Sequence, residues 1–452
     1  MKFSRAFLQE IKDRLKLSDI TGQRVTLKRS GRAFKGLCPF HDEKTPSFQV
    51  DDAKQSYYCF GCGAKGDVIE FVMAYDHLPF PDTVKMLAGQ AGVALPHLTA
   101  EQRQADRERE TLYRLMEDTA QWFHEQLADP EHRYALAYLV KRGICAQLIE
   151  TYQLGYAPAD GRLLREYLRQ QGYSYQEMLS GGVMQKSPRS RALYSPFRER
   201  IIFPIHDVRG RTVAFGGRVL PENLRAPPAS VTSAKPPKYL NSKETPLFHK
   251  SHLLYGEPQA RAMLGDGRLL AVVEGYTDVL ACHQTGLPAV APLGTALGTE
   301  QIIRLWQMIQ DTEKVPVLCF DGDKAGKRAA QHALERFLPV LKPHHSARFA
   351  FLPAGEDPDT LIARQGKAAF DHVLARALPL DRYLWQIHTH GRRFDTPEAQ
   401  AGLEAALMRD AQAIGDETVR RYYQQALMHR LRHALAASQS LQRDFAAASH
   451  AA

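Results

Sequence analysis

Apolar residues recur at spacings of three and four from the start of the chain: Phe3, Phe7, Leu8, Ile11 and Leu15 share one helical face. A basic, strand-like stretch follows from Arg24 to Phe34, then two short runs, SFQV and SYYCF. Helices are predicted over Asp67–Ala74 and Pro81–Ala91. Residues 101–110 are densely charged, with no apolar face until Leu112, and read as a linker running into a helix. From 111 to about 185 the pattern is mainly helical, with Leu112, Leu115, Met116, Trp122 and Phe123 on one face. The strand-like runs IIFPIHD and TVAFGG come next, and the Pro-rich stretch Pro221–Lys238 reads as a surface loop.

Residues 268–352 alternate cleanly. The apolar runs in RLLAVVEG, PAVAPLG, VPVLCFDGD and ARFAFLP are separated by amphipathic helices, which predicts a parallel sheet covered on both faces. After 353 the pattern is helical, and no repeat of fixed period runs through the chain.

Composition narrows the class. The chain has 452 residues, 44% hydrophobic and 24% charged, enough to bury several cores without staples. A formal charge of +9 favours a polyanionic partner. No run reaches the ~20 apolar residues of a membrane helix, and charges interrupt the N-terminus too often for a signal peptide. A cytoplasmic, non-membrane protein is expected. Of the six cysteines, Cys145, Cys282 and Cys319 stand singly in apolar segments and read as packed free thiols.

The other cysteines form a constellation. Cys38 and His41 have two residues between them, as do Cys59 and Cys62, and seventeen residues separate the pairs. Two ligand pairs on tight knuckles close a tetrahedron of sulfur and nitrogen around one Zn²⁺, and four protein ligands make the site structural. A redox role for Cys59 and Cys62 leaves Cys38 and His41 unexplained, and no thioredoxin-like context surrounds the pair. Lys28, Arg29, Arg32 and Lys35 lie near Tyr57, Tyr58 and Phe60, a mixture suited to single-stranded nucleic acid. Each ring could equally pack the ribbon's small core.

Carboxylates gather at the ends of the predicted parallel strands: Glu274 and Asp278, then Asp321 and Asp323, then Asp357 and Asp359. Ligands bind at that edge of open α/β sheets. Converging carboxylates repel unless divalent cations lie between them. Oxygen ligands of this kind suit Mg²⁺ holding substrate phosphates, and therefore phosphoryl transfer. A single Asp-Gly-Asp after a strand can also be a mere turn; three successive acidic strand ends favour the metal. Residues 186–250 add thirteen Lys/Arg against four acids, among them Arg198, Arg200, Arg209, Arg211, Arg218, Lys238, Lys243 and Lys250. They could line a path for a phosphate backbone, although many surface arginines are simply solvated.

With these residues in place, the sequence resembles the bacterial DnaG-type DNA primases over essentially its whole length. The resemblance rests on Cys38-Pro-Phe-His41 with Cys59-Phe-Gly-Cys62, and on ERIIFPIHDVRGRTVAFGGRVL, KYLNSKETPLFHK, VVEGYTDVLACHQTG, PLGTALG, CFDGDKAGKRAA and LPAGEDPDTL. It implies a Toprim fold with Glu274, Asp321 and Asp323 at the catalytic centre. Asp278, Asp357 and Asp359 would line the pocket, all six acids would hold Mg²⁺ or Mn²⁺, and Glu274 would assist proton transfer. Arg142, Arg218, Lys238, Asn241 and Lys250 match positions associated with template and nucleotide phosphates. The implied reaction is attack of a ribonucleotide 3′-hydroxyl on the α-phosphate of an incoming NTP, giving an RNA primer on single-stranded DNA and releasing pyrophosphate. The zinc module would help select the start site.

The expected fold class is multidomain α/β. It comprises a zinc ribbon at 1–100, the linker at 101–110, and a basic α+β subdomain of the polymerase core at 111–262. A Toprim parallel-sheet catalytic subdomain at 263–353 and a C-terminal helical subdomain at 354–452 complete it. The stretch Pro221–Lys238 is longer than the family's turn, which bears on the place of Lys238. The family's helicase-docking domain is expected to be absent, so contact with the replicative helicase is not carried over. The protein is expected to be a monomer of the cytoplasm, acting at the nucleoid and replisome. Two rival readings stand beside this one. Another Toprim enzyme, a topoisomerase or nuclease, would need a tyrosine nucleophile in a further domain. A non-catalytic zinc-dependent single-strand-binding protein would leave the acids idle.

Overall fold

A computed structural model describes residues 3–76, 78–95, 99–187, 192–225, 236–294 and 297–450. The chain divides into two compact units, residues 1–108 with 310–312, and residues 109–309 with 313–452.

The first unit is a five-stranded antiparallel sheet with its strands in chain order, Lys28–Ser30, Ala33–Gly36, Phe48–Asp51, Ser56–Cys59 and Lys65–Gly66. Alternation of side chains along each strand separates two faces. Phe34, Val50, Tyr57 and Gly66 stand opposite one another in one row, and Val50 and Tyr57 of that row are buried. Lys28, Lys35, Gln49, Tyr58 and Lys65 form the neighbouring row, and none of them is buried. The helices Val68–Tyr75 and Phe80–Ala91 close the core with Phe71, Val72, Val84 and Leu87. Asp67 starts the first of these by accepting from the amides of Ile69 and Glu70, while Glu70 bonds back to the Asp67 amide. A cap of this kind contributes about 1 kcal/mol.

Residues 101–110, which hold the boundary between the two units, are helical rather than extended. They are exposed opening turns of one helix, Ala100–Ala128. The Glu, Gln and Arg residues that denied the segment an apolar face are strong helix formers, and Gln104 bonds to Glu108 one turn on.

The second unit holds two larger sheets. One is antiparallel, in the order Tyr239–Asn241, Thr212–Val219, Arg200–His206, Gly155–Ala157. The other has six strands, in the order Leu254–Tyr255, Ala289–Pro292, Ala271–Val272, Val317–Phe320, Arg348–Phe351, Leu378–Pro379. Its four central strands are parallel, as the alternating pattern predicts, and both edge strands pair antiparallel. Two-residue edge strands give too short a period to be read from sequence.

One core joins the antiparallel sheet to the parallel one through Ile201, Phe203, Val213, Ala271, Val273, Val279 and Leu280. A second lies between the parallel sheet and the C-terminal helices, around Leu305, Phe337, Phe349, Leu384 and Leu407. Cys282 and Cys319 are buried in this unit as expected, but Cys145 is exposed. It stands at the cap before the helix Ala146–Thr151, while Ile144 and Leu148 take the inward positions. Of the Pro-rich stretch Pro221–Lys238, residues 226–235 lie outside the described residues. Among the described residues no helix is long and apolar enough to cross a membrane.

Candidate active site and metal centres

The zinc knuckles converge. The ligand atoms of Cys38, His41, Cys59 and Cys62 all lie within 4.8 Å of one another. Cys38 Sγ and Cys62 Sγ are 3.8 Å apart, and His41 Nδ1 is 3.7 Å from Cys59 Sγ. Thiolates bound tetrahedrally at the usual ~2.3 Å would be separated by about 3.8 Å, so these four residues fit Zn²⁺. The amides of Phe40 and Cys62 donate to Cys38 Sγ and Cys59 Sγ, each at 3.4 Å. Burial raises the Cys59 thiol, but hydrogen bonds from Ser47 and from the amides of Cys62 and Gly61 outweigh it and hold the thiol low. Of the three rings noted in the sequence, Tyr57 is core, whereas Tyr58 and Phe60 are exposed and pack edge to face at 4.9 Å.

The acidic residues collect because parallel strands end on the same side. Glu274 follows Ala271–Val272, Asp321 and Asp323 follow Val317–Phe320, and Asp357 and Asp359 follow Arg348–Phe351. Three of the carboxylates also serve helix starts. Asp278 Oδ2 accepts from the Gly275 amide at 2.9 Å, Asp323 Oδ1 from Gly326 at 2.7 Å, and Asp357 Oδ1 from Thr360 at 3.0 Å. Gly326 is required here, because a Cβ would run into the carbonyl oxygen of Asp321. The Asp321 amide in turn donates to Glu274 Oε1 at 3.2 Å, tying two strand ends together.

These bonds leave oxygens over. Asp278, Asp357 and Asp359 offer carboxylate oxygens within 4.8 Å of one another. The Oδ1 atoms of Asp278, Asp321 and Asp359 are buried without a hydrogen-bond partner. Burial, then the charges of Glu274 and Asp357, push Asp321 up to about 7. Burial, then the charges of Asp359, Asp357 and Asp321, push Asp278 far above the carboxylate range. Glu274 is raised by burial, with the Asp323 charge adding to it. Crowded carboxylates with orphaned oxygens fit a divalent cation.

Beside these acids lies a cleft of about 480 Å³, lined by Glu274, Asp278, Asp321 and Asp357 together with Arg218, Lys238, Tyr239 and Asn241. Arg218 donates to the Tyr239 hydroxyl at 2.7 Å and lies over the rings of Tyr239 and Tyr138. Arg142 is turned to the acids and ion-pairs with Asp359. The amide of Asn241 is used internally, donating to the Leu293 carbonyl at 2.8 Å and accepting from the Tyr276 hydroxyl at 2.6 Å. Lys250 is exposed and does not line this cleft. Sequence reasoning passed over Tyr138 and Tyr276, as well as Glu43 and Ser47 beside the zinc ligands. Gly216 offered a signal for Tyr276: a strand glycine marks a close approach, and a Cβ there would strike the Tyr276 ring.

The zinc ribbon in one unit, and in the other a Toprim-like acidic sheet edge opening on a cleft that also carries Arg218 and Lys238, fit a metal-dependent enzyme of phosphate chemistry. Comparison with known proteins makes the class specific. Residues 3–103 match the CHC2 zinc finger, residues 122–261 the N-terminal domain of the DNA primase catalytic core, and residues 268–350 the Toprim domain. DNA primase of Escherichia coli strain K12 is 37% identical over 433 residues, covering 95% of this chain and 72% of that protein. DNA primase of Pasteurella multocida is 39% identical over 407 residues, 89% of this chain and 66% of that protein.

Among solved structures, the DnaG primase catalytic domain bound to ssDNA is 36% identical, with a TM-score of 0.61, covering 72% of this chain and 99% of that one. The Aquifex aeolicus primase, with zinc-binding and RNA polymerase domains, is 27% identical, with a TM-score of 0.58, covering 94% and 96%. The chain belongs to the bacterial DnaG-type DNA primase family. It is a DNA-directed RNA polymerase that makes RNA primers, with one zinc ion at the Cys₃His site and catalytic Mg²⁺ or Mn²⁺ at the Toprim acids. The topoisomerase-like and non-catalytic readings fall away.

Proposed function

We propose that the acidic sheet edge and the cleft beside it join NTPs on a single-stranded DNA template, with residue roles as follows. Asp278, Asp321, Asp357 and Asp359 hold the divalent cations, and Asp323 keeps its helix start in place beside them. When bound, the cations supply positive charge to the phosphate oxygens of the incoming nucleotide. Glu274 takes the proton from the attacking ribonucleotide 3′-hydroxyl, since burial and the neighbouring Asp323 make it more basic than an ordinary glutamate. Arg218 and Lys238 meet nucleotide or template phosphates from across the cleft. The pyrophosphate leaves as the 3′-oxygen bonds to the α-phosphorus. One chain supplies every group named, so a monomer suffices.

The observation behind this reading is the set of buried, partnerless carboxylate oxygens at successive parallel strand ends. Its test is synthesis of short RNA from NTPs on single-stranded DNA by the wild type and Asp321→Asn. Loss of product with retained DNA binding is the expected result, and retained synthesis removes Asp321 from the site.

In the zinc ribbon, the row Lys28, Lys35, Gln49, Tyr58 and Lys65 crosses five strands on an unburied face, with the exposed Phe60 ring beside Tyr58. Lysines beside exposed rings pair phosphates and stack bases. This face is proposed to read the start site on the template.

A further inference from the structure

We propose that Glu43 is the positioning residue of the zinc site: it fixes His41 as an Nδ1 ligand by holding the proton on Nε2. The two ring nitrogens of His41 face different groups. Nδ1 looks toward the thiolates, 3.7 Å from Cys59 Sγ, while Nε2 lies 3.3 Å from Glu43 Oε2. The ring lies close over Gly61, where a Cβ would collide with it. A histidine that ligates through Nδ1 carries its proton on Nε2, and a carboxylate there fixes tautomer and orientation while raising ligand basicity.

Glu43 is itself tied down. Oε1 accepts from the amides of Cys38 at 2.7 Å and Ser47 at 3.0 Å, and Oε2 from the Ser47 hydroxyl at 2.5 Å. The same hydroxyl lies 3.1 Å from Cys59 Sγ. One carboxylate therefore links the backbone of one ligand, the imidazole of the second, and the hydroxyl touching the third. It does so at 11% side-chain exposure. A glutamate placed only for solubility would not be buried with four contacts.

Glu43→Gln separates the two roles. Its carbonyl can still accept from the Cys38 and Ser47 amides, but its NH₂ faces the Nε2–H of His41. The test is zinc affinity of the full chain by competition with a chromophoric chelator, for wild type, Glu43→Gln, His41→Cys and the double variant. A tenfold to hundredfold loss is expected for Glu43→Gln in the wild-type background, and less than threefold once the imidazole is gone. Less than threefold loss in the wild type, or equal loss in both backgrounds, overturns the proposal and leaves Glu43 as a loop tie. Selective ¹⁵N labelling of histidine in the zinc-loaded wild type gives a second test that needs no variant. The proposal requires metal on Nδ1 of His41 and a slowly exchanging proton on Nε2; metal on Nε2 overturns it.

Discussion

Arg142 and Asp359 form an ion pair across 217 residues of sequence, bringing the end of the helix Arg133–Lys141 against the start of the helix Pro358–Gln365. Side-chain exposures of 19% and 7% place the pair out of bulk water. The guanidinium is the positive group in contact with the acidic cluster and offsets its repulsion. Arg142→Ala therefore leaves Asp359 buried beside Asp278 and Asp357 with no counter-charge. Breaking such a pair is expected to cost about 3 kcal/mol in metal-free protein. Denaturant unfolding with a chelator present measures this, and saturating Mg²⁺ should recover a large part of the loss. An unchanged midpoint in chelator would show that the pair contributes nothing.

Protons and magnesium compete for the same carboxylates. Asp321 is pushed up to about 7 by burial, then by Glu274 and Asp357, so the folded metal-free state binds its proton more tightly than the unfolded chain does. That contribution to stability is complete below the ordinary carboxylate range and is lost as pH rises through about 7. If Asp321 holds magnesium as proposed, the cation takes the proton's place. Its stabilising effect should be small at pH 5.5 and grow toward pH 8. Thermal unfolding with and without Mg²⁺ across this range checks the trend, and Asp321→Asn should flatten it. A magnesium shift that is equal at both ends would separate Asp321 from the metal.

Much of this site could be read from sequence because strand ends and knuckles are local. Cys38 to His41 and Cys59 to Cys62 are fixed spacings, and the acids directly follow apolar runs that announce parallel strands. What escaped depended on pairing between distant segments. No local pattern says that Arg142 turns to Asp359, or that Asn241 spends its amide on Tyr276 and Leu293. The lysine row of the zinc ribbon appears only once register sets Lys35, Gln49, Tyr58 and Lys65 opposite one another. That the linker at 101–110 is itself helical was hidden for a different reason. Charge density excludes a buried face but does not exclude helix.

Zinc should govern the first unit alone. Cys38 and Cys59 are buried in the same core as Phe48, Val50, Phe71 and Val72, so thiolates without metal would repel one another inside it. The cores of residues 109–452 contain none of these residues. A chelator should lower or remove one calorimetric transition and leave the larger one in place. Loss of both together would show that the units do not unfold independently.

The last prediction concerns acid. His283 is buried, its Nδ1 bonded to the Tyr152 hydroxyl and its Nε2 facing both the carbonyl of Ala289 at 2.7 Å and its amide at 3.1 Å. The neutral ring satisfies Tyr152 and one of the two Ala289 groups in either tautomer. Burial lowers the His283 pKa to about 4. The folded state thus binds fewer protons than the unfolded chain between about 4 and the ordinary histidine value of about 6.5. Stability from this group is fully present above about 6.5 and is lost as pH falls toward 4. At its limit the loss is about 3 kcal/mol, from roughly 1.4 kcal/mol for each pKa unit. Other groups titrate in the same window, so the decisive measurement is a difference. Unfolding free energies of wild type and His283→Gln should diverge most at neutral pH and converge by about pH 4. A gap that stays constant with pH would place the cost of the substitution in packing rather than in protonation.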